Sequence, residues 1–310
     1  MDRRSWVMLL VLAAIWGASY MFIKIAVRDL SPGMVAWSRI ALAAIVLCGL
    51  AAARGQFGRL GRRALELTLL GSIQVAGPFL LISAGETEIS SSLAGILVTS
   101  TPLFTALLAV WIDHEERSQG LRLAGVMLGV IGVAVLLGVD LGGSGNQLLG
   151  GLAVVIAGLG YALGALIVKH RFSHAPPIAV AAWVMVASTA LLAPLALATL
   201  PGSAPGFGPL ASVIVLGVLG TGIAFVILYD LIARVGPART WVVTYLAPGF
   251  AVVYGATLLD ETITVATIVG LALILAGSWL AAEGRLPGRR PAGPAPQAPP
   301  PEPAATDVYG

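Results

Sequence analysis

The chain reads as an all-α integral membrane protein, ten transmembrane helices built as two inverted five-helix repeats. Three observations lead there. Of its 310 residues 58% are hydrophobic and only 11% charged, with a mean hydropathy of +0.94. Apolar runs of membrane-spanning length recur along it. Positions about 145 apart carry matching chemistry.

Composition excludes whole classes. A soluble domain carries about 25% charged residues to stay dispersed. The net charge of +3 and a pI near 9.3 come from scattered arginines, without the basic stripe and interleaved aromatics of a nucleic-acid binder. Cys48 is the one cysteine and lies in an apolar run, which rules out an intrachain disulfide and a thiolate metal cluster.

A hydrocarbon core about 30 Å thick takes about 20 apolar residues per helix, and cutting the chain at charge, proline and glycine leaves ten such runs. Trp6 to Lys24 follows Arg3 and Arg4, a leader like that of a signal peptide, but its length and the nine runs behind it predict a retained first helix. Gly33 to Ala53 opens after Pro32 and stops at Arg54. Ala64 to Ser83 lies between Arg63 and the acidic pair Glu86 and Glu88, placed in a loop. Ser91 to Ile112, Leu121 to Val139 and Leu148 to Lys169 end at charged segments or glycine-rich turns. Ile178 to Ala198 starts behind Pro177, and Leu210 to Ile232, Arg239 to Leu259 and Ala266 to Glu283 complete the set. A β-barrel would show period-2 segments of about ten residues, whereas these runs are twice as long and apolar on all faces.

Lysine and arginine collect in cytoplasmic loops. With the N-terminus inside, 15 of the 18 basic residues fall on the inner side, leaving Lys24, Arg28 and Arg39 outward. Adding or dropping a helix in the middle scrambles that partition. The expectation is a plasma (inner) membrane protein with both termini cytoplasmic. After Glu283 come eight prolines in 27 residues, a composition that does not fold. Residues 284–310 are therefore expected to be a disordered cytoplasmic tail, a solvated terminus rather than a PxxP ligand.

An offset of 145 takes Trp16 to Tyr161, Lys24 to Lys169, Pro32 to Pro177, Glu116 to Glu261, Gly125 to Gly270 and Gly132 to Gly277; an offset of 146 takes Gly71 to Gly217 and Pro102 to Pro248. The repeats are residues 1–139 and 148–283. Five spans per repeat is an odd number, so the second copy enters from the opposite side, the symmetry that alternating access uses.

Several motifs carry a resemblance. Trp16-Gly17 precedes Lys24, and the second run holds Ser38-Arg39-Ile40-Ala41-Leu42-Ala43-Ala44. Pro102 leads to Glu115-Glu116 and Gly125, as Pro248 leads to Asp260-Glu261-Thr262 and Gly270. With these features the chain resembles the EamA family of the drug/metabolite transporter (DMT) superfamily over about Trp6 to Glu283. That resemblance implies a ten-helix carrier of small metabolites whose central cavity is lined by the first, third, fourth, sixth, eighth and ninth helices. One departure is Val184, standing where the repeat would place a second Arg39.

Polar groups at mid-depth are costly unless used. Helix midpoints place Trp16, Gln74, Thr99, Thr101, Pro102, Tyr161, Thr221, Tyr245 and Pro248 there, with Tyr20 one turn beyond Trp16. Trp16 and Tyr161 offer rings for stacking. Pro102 and Pro248 free the carbonyls of Val98 and Thr244 for a ligand, a water or a neighbouring hydroxyl, or act only as packing kinks. Gln74 is a ligand contact or an interhelical hydrogen bond. Lys24 and Arg39, toward the outer side, snorkel, pair with Glu86 or Glu88, or attract a substrate carboxylate.

No acid is expected at mid-depth, the deepest being Glu66 and Asp230 near the inner face. That argues against proton-coupled drug export and for a secondary transporter, an exporter working as facilitator or exchanger, of small neutral or zwitterionic metabolites such as amino acids, probed by counterflow that ignores a pH gradient. Neither catalytic residues, metal ligands nor a cofactor site is expected: His114, His170 and His174 fall in inner loops, and HExxH, Walker A and GxSxG patterns are absent. A non-transporting scaffold or receptor is the rival class, without need of inverted duplication. The expected partners are a small-molecule solute and the lipid bilayer. Glycine faces at Gly125, Gly129, Gly132, Gly160 and Gly164 serve helix packing inside the chain or, alternatively, a homodimer.

Overall fold

The computed structural model describes residues 1–56, 60–112, 121–140 and 145–283. His114, Glu115, Glu116, Arg59, Arg117 and the proline-rich tail lie outside the described residues. Those that are described form fourteen α-helices and no strand.

Helix α1 (Arg3–Ala26) begins where the Asp2 carboxylate accepts the Ser5 amide at 3.1 Å. α2 (Pro32–Ala53) begins likewise, Ser31 accepting from Met34 with proline at the first helical position. α3 (Ala64–Gly71) and α4 (Gly77–Glu88) are joined by a π-helical turn, Ser72–Ala76. α5 (Ser91–Leu97) runs through a 3-10 turn, Val98–Ser100, into α6 (Thr101–Ile112). α7 (Leu121–Val135) ends in a π turn, Leu136–Asp140, and α8 (Gly145–Arg171) and α9 (Pro177–Ala198) follow. α10 (Phe207–Gly217) and α11 (Ala224–Val235) flank the π turn Val218–Ile223. α12 (Pro237–Thr240), α13 (Val243–Leu258) and α14 (Val265–Glu283) complete the order.

Seven continuous stretches are long and apolar enough to cross a membrane: α1, α2, Gly61–Glu88, Ser91–Leu108, α8, α9 and Phe207–Val235. Three shorter apolar helices, Leu123–Gly138, Val243–Leu258 and Val265–Ala281, occupy the remaining three runs. The run beginning at Arg239 is shortened because the chain turns at Trp241 and Val242, separating α12 from α13.

α14 packs along α7, α2 along α9, α4 along α8, and α1 along α13. Close approach decides the first pair: a Cβ added at Gly125 would lie 2.4 Å from the Ala281 amide nitrogen, and one at Gly277 would lie 2.4 Å from that of Gly129. Gly160 and Gly164 press likewise on the π turn, against Ile73 and Gln74. These glycine faces are thus filled within the chain.

Packing also repeats at the spacing of the sequence. The π turns Ser72–Ala76 and Val218–Ile223 start 146 residues apart. A Cβ on Gly71 would meet the Val184 carbonyl oxygen at 3.1 Å, and one on Gly217 would meet that of Arg39 at 3.0 Å. Val184 and Arg39 therefore make equivalent backbone contacts while their side chains differ.

One expectation is corrected. Glu86 is not in a loop: α4 runs on to Glu88, and Glu86 is 0% exposed. The extension is capped by Lys24, whose Nζ donates to the carbonyls of Glu86 at 2.6 Å and Ile89 at 2.7 Å, satisfying acceptors that a helix C-terminus leaves open.

Gly277→Leu should be destabilised by about 1–3 kcal/mol or more through overpacking, read as a lower melting temperature of the purified protein. Gly49→Leu, at a position with nothing within 4 Å of an added Cβ, should stay near wild type.

Candidate functional site

Four elements converge on Arg39. It lies seven residues into α2, about 10 Å of helix rise from Pro32, and is only 8% exposed. Its Nε donates to Thr221 Oγ1 at 2.9 Å. The Thr221 hydroxyl in turn donates to the Leu216 carbonyl at 3.0 Å, five residues back, a reach that the π turn creates. The guanidinium carbon stands 4.0 Å from the centre of the Phe79 ring in α4. Phe79 in turn meets Tyr161 of α8 edge-on at 6.5 Å, and Tyr161 packs against both large apolar clusters of the bundle.

Burial of an unpaired cation is costly, and among the described residues no ion pair reaches Arg39. The negative face of Phe79 and the Thr221 hydroxyl offset part of that cost. Nη1 and Nη2 make no hydrogen bond to a described residue, so two of three guanidinium nitrogens remain unmatched donors. Tyr20 on α1 and Tyr161 lie within electrostatic reach of this charge. Arg39 neither snorkels nor pairs with Glu86 or Glu88, as the sequence had suggested. Its carbonyl is pinned against Gly217, which holds this stretch of α2 inside the bundle.

The other residues singled out from the sequence are distributed differently. Gln74, on the π turn, seats its Cβ and Cγ at the Gly164 surface and makes no interhelical hydrogen bond to a described residue. Thr99 and Thr101 bond to their own helix, at the Ile96 and Val98 carbonyls. The carbonyl that Pro102 frees is therefore taken by the neighbouring hydroxyl of Thr101, at 2.8 Å. The Thr99 carbonyl accepts from Ser278 of α14 at 3.2 Å. Pro248 is buried in α13, next to the contact where Gly17 admits Ala247 and Phe250. Trp16 packs against the buried cluster of Leu9, Leu12, Ala13, Ala224, Leu228, Leu231 and Val243, and Tyr245 tilts against Trp279 at 6.3 Å; neither is among the residues that contact Arg39. Lys24 binds the two carbonyls that end α4 rather than a carboxylate.

Two contributors were missed. Phe79 is one more aromatic in an apolar run, and nothing local pairs it with Arg39. In the sequence Glu261 stands out only as part of the Asp260-Glu261-Thr262 motif. Its carboxylate accepts the amides of Ser91 at 2.7 Å and Ser92 at 2.9 Å, and the Ser92 hydroxyl at 2.6 Å. It thereby caps the N-terminus of α5, where a helix favours negative charge. Its own amide bonds back to the Gly255 carbonyl at 3.0 Å, and Asp260 turns the chain there with φ of 55°. The end of α13 is clamped to the start of α5.

A crevice of about 340 Å³ between α1, α10 and the turn after it is lined by Ser19, Gly220 and Tyr254, and a groove of about 620 Å³ runs beside Trp37 and Pro201. Neither contains a member of the Arg39 group. Among the described residues no group of three or more His, Cys, Asp or Glu is placed to hold a metal ion.

The sequence model of the EamA-like transporter family matches twice, over residues 4–138 and 148–282. The chain is 26% identical over 294 residues to a "Probable amino-acid metabolite efflux pump" of Escherichia coli K12, covering 90% of this chain and 95% of that one. It is 26% identical over 300 residues to a "Probable terminal-alkyne amino-acid exporter" of Streptantibioticus cattleyicolor, covering 94% and 97%. A crystal structure 21% identical superposes with a TM-score of 0.63 over 91% of this chain and 98% of the other; that likeness is one of fold.

Glu261→Ala removes acceptors from two amides and a hydroxyl at once. A lost cap is worth about 0.5–2 kcal/mol and charge-assisted bonds more, so the expected loss is about 2 kcal/mol or more, seen as a clear drop in melting temperature. Glu261→Gln should lose less.

Proposed function

The chain belongs to the EamA-like transporter family, and from that membership we propose that it exports small neutral or zwitterionic metabolites, amino acids and their relatives, across the plasma membrane. The observation that carries the solute class is Arg39, a buried cation with two unmatched donor nitrogens beside aromatic rings. Planar guanidinium matches a carboxylate in bidentate fashion. Phe79 and Tyr161 offer an apolar wall for a side chain, and the Tyr20 hydroxyl is within the same field. Relatives named as an amino-acid metabolite efflux pump and an amino-acid exporter support the direction and the class.

The mechanism follows from the duplication. All ten apolar runs cross the bilayer in this reading, with residues 1–139 and 148–283 as inverted repeats that rock about the solute. The matched π turns and the paired Gly71–Val184 and Gly217–Arg39 contacts support that symmetry. The concentration of basic residues supports termini in the cytoplasm, which puts the clamp of Glu261 on α5 at the outer end. Solute then meets an arginine in one repeat and a valine in the other, so the pocket is chemically one-sided within a symmetric frame.

In proteoliposomes, counterflow across a panel of amino acids should identify a carried solute, and that solute should raise the melting temperature of the purified protein. Arg39→Gln should cut uptake of it by about 10–100-fold, the value of a lost charge-assisted hydrogen bond. Tyr161→Ala should also reduce it strongly. Normal uptake in both variants, with normal expression, removes this cluster as the solute site.

A further inference from the structure

Beside the Arg39 group stands a carboxyl group without a partner. Glu86 has no exposed surface, and neither Oε1 nor Oε2 makes a hydrogen bond to a described residue. Three elements bring charged or titratable groups toward it: Lys24 and Tyr20 on α1, Arg39 on α2, and Glu261 beyond α13. Among the described residues none of the cations forms an ion pair with it. The Lys24 ammonium is bonded to the carbonyls of Glu86 and Ile89, and the Arg39 Nε to Thr221. Glu261 is engaged by Ser91 and Ser92.

An ionised carboxylate sealed from water with no hydrogen bond is far costlier than the neutral acid. What seals Glu86 is the end of the bundle on which it lies. Lys24 ties α1 to the last turn of α4, and two residues later the chain enters α5, whose first amides the Glu261 carboxylate holds. Letting water reach Glu86 from that end requires the Lys24 and Glu261 ties to open. The arrangement couples the state of one carboxyl group to the opening of one end.

We propose that Glu86 is the proton-carrying residue of this transporter, loaded from the outer solution as the outer end closes and unloaded toward the cytoplasm when the inner end opens. This rests on the transporter reading above. The balance is one proton per cycle. Glu86 carboxylate and a proton from outer water give the carboxylic acid, and the acid returns that proton to water admitted from the inside. Solute then takes the outward leg, so one proton enters for each solute that leaves. Glu86 lies in the last turn of α4 rather than at mid-depth, and with it counterflow is expected to depend on a pH gradient rather than to ignore it.

Two measurements on the full chain test this. Infrared spectra of the wild type at neutral pH should contain the carbonyl stretch of a buried carboxylic acid, and Glu86→Gln, isosteric with the neutral form, should lack it. No such band in the wild type, or a band unchanged in Glu86→Gln, overturns the proposal whatever the solute. In liposomes with an entrapped pH-sensitive dye, amino acid added to one side should drive proton movement in the wild type. That movement should fall to the level of protein-free liposomes in Glu86→Gln and keep at least half its rate in Glu86→Asp. Wild-type proton movement in Glu86→Gln overturns the proposal. A wild type that carries no amino acid sinks the transporter reading instead, and the infrared band still decides the state of Glu86.

Discussion

In hydrocarbon every backbone amide and carbonyl has to be satisfied within the protein, and the architecture follows from that constraint. It makes each apolar run a helix, and it makes departures from regular helix informative. The described departures at depth are few: the π turns at Ser72–Ala76 and Val218–Ile223 and the 3-10 turn at Val98–Ser100. Two of the three are repaired by a nearby hydroxyl. The Thr221 hydroxyl bonds the carbonyl five residues back, and the Thr101 hydroxyl covers the carbonyl freed by Pro102. The first repair also turns Thr221 Oγ1 into the acceptor that holds Arg39. π-helical turns are frequent at functional sites, and here one helps to seat the buried cation.

Charge is used sparingly and mainly on helix ends. Lys24 closes the C-terminus of α4, and Glu261 closes the N-terminus of α5. At the opposite end Arg63 bonds Glu66 with Nη2 at 2.6 Å and the Arg171 carbonyl with Nη1 at 2.8 Å, and stacks on Phe172. Buried charge then remains at Arg39, while Glu86 is a buried carboxyl that the packing leaves unpaired. An interior with so few ionisable groups makes each of them consequential, because little else there answers a change of protonation or the arrival of a carboxylate.

Much of the fold is legible in the sequence because hydrophobic length and repeat spacing are local or additive properties. Run length marks the helices, and the offset between Pro102 and Pro248 marks the duplication. The site is less legible. Trp16 and Tyr161 are equivalent by offset, yet Tyr161 joins the Arg39 group while Trp16 packs against a different buried cluster, that of Leu9, Leu12 and Leu228. Depth can be read from position in a run, but the direction a residue faces depends on the neighbouring helix. Tyr245 shows the same thing, turned to Trp279 rather than to Tyr161.

By itself the sequence determined the membrane class, the helical runs, the duplication and the family likeness, all of which rest on composition and periodicity along one dimension. Only the tertiary structure decided that Arg39 is buried between Thr221 and Phe79 rather than snorkelled, that Glu261 clamps α5, and that Glu86 ends in a sealed interior. The Arg39–Thr221 and Glu261–Ser91 bonds join residues 182 and 170 positions apart, Arg39 reaches Phe79 on another helix, and the end of α4 is capped by Lys24 of α1. Pairing of that kind is set by how helices pack, through glycine contacts and irregular turns, and no periodicity in the chain encodes it.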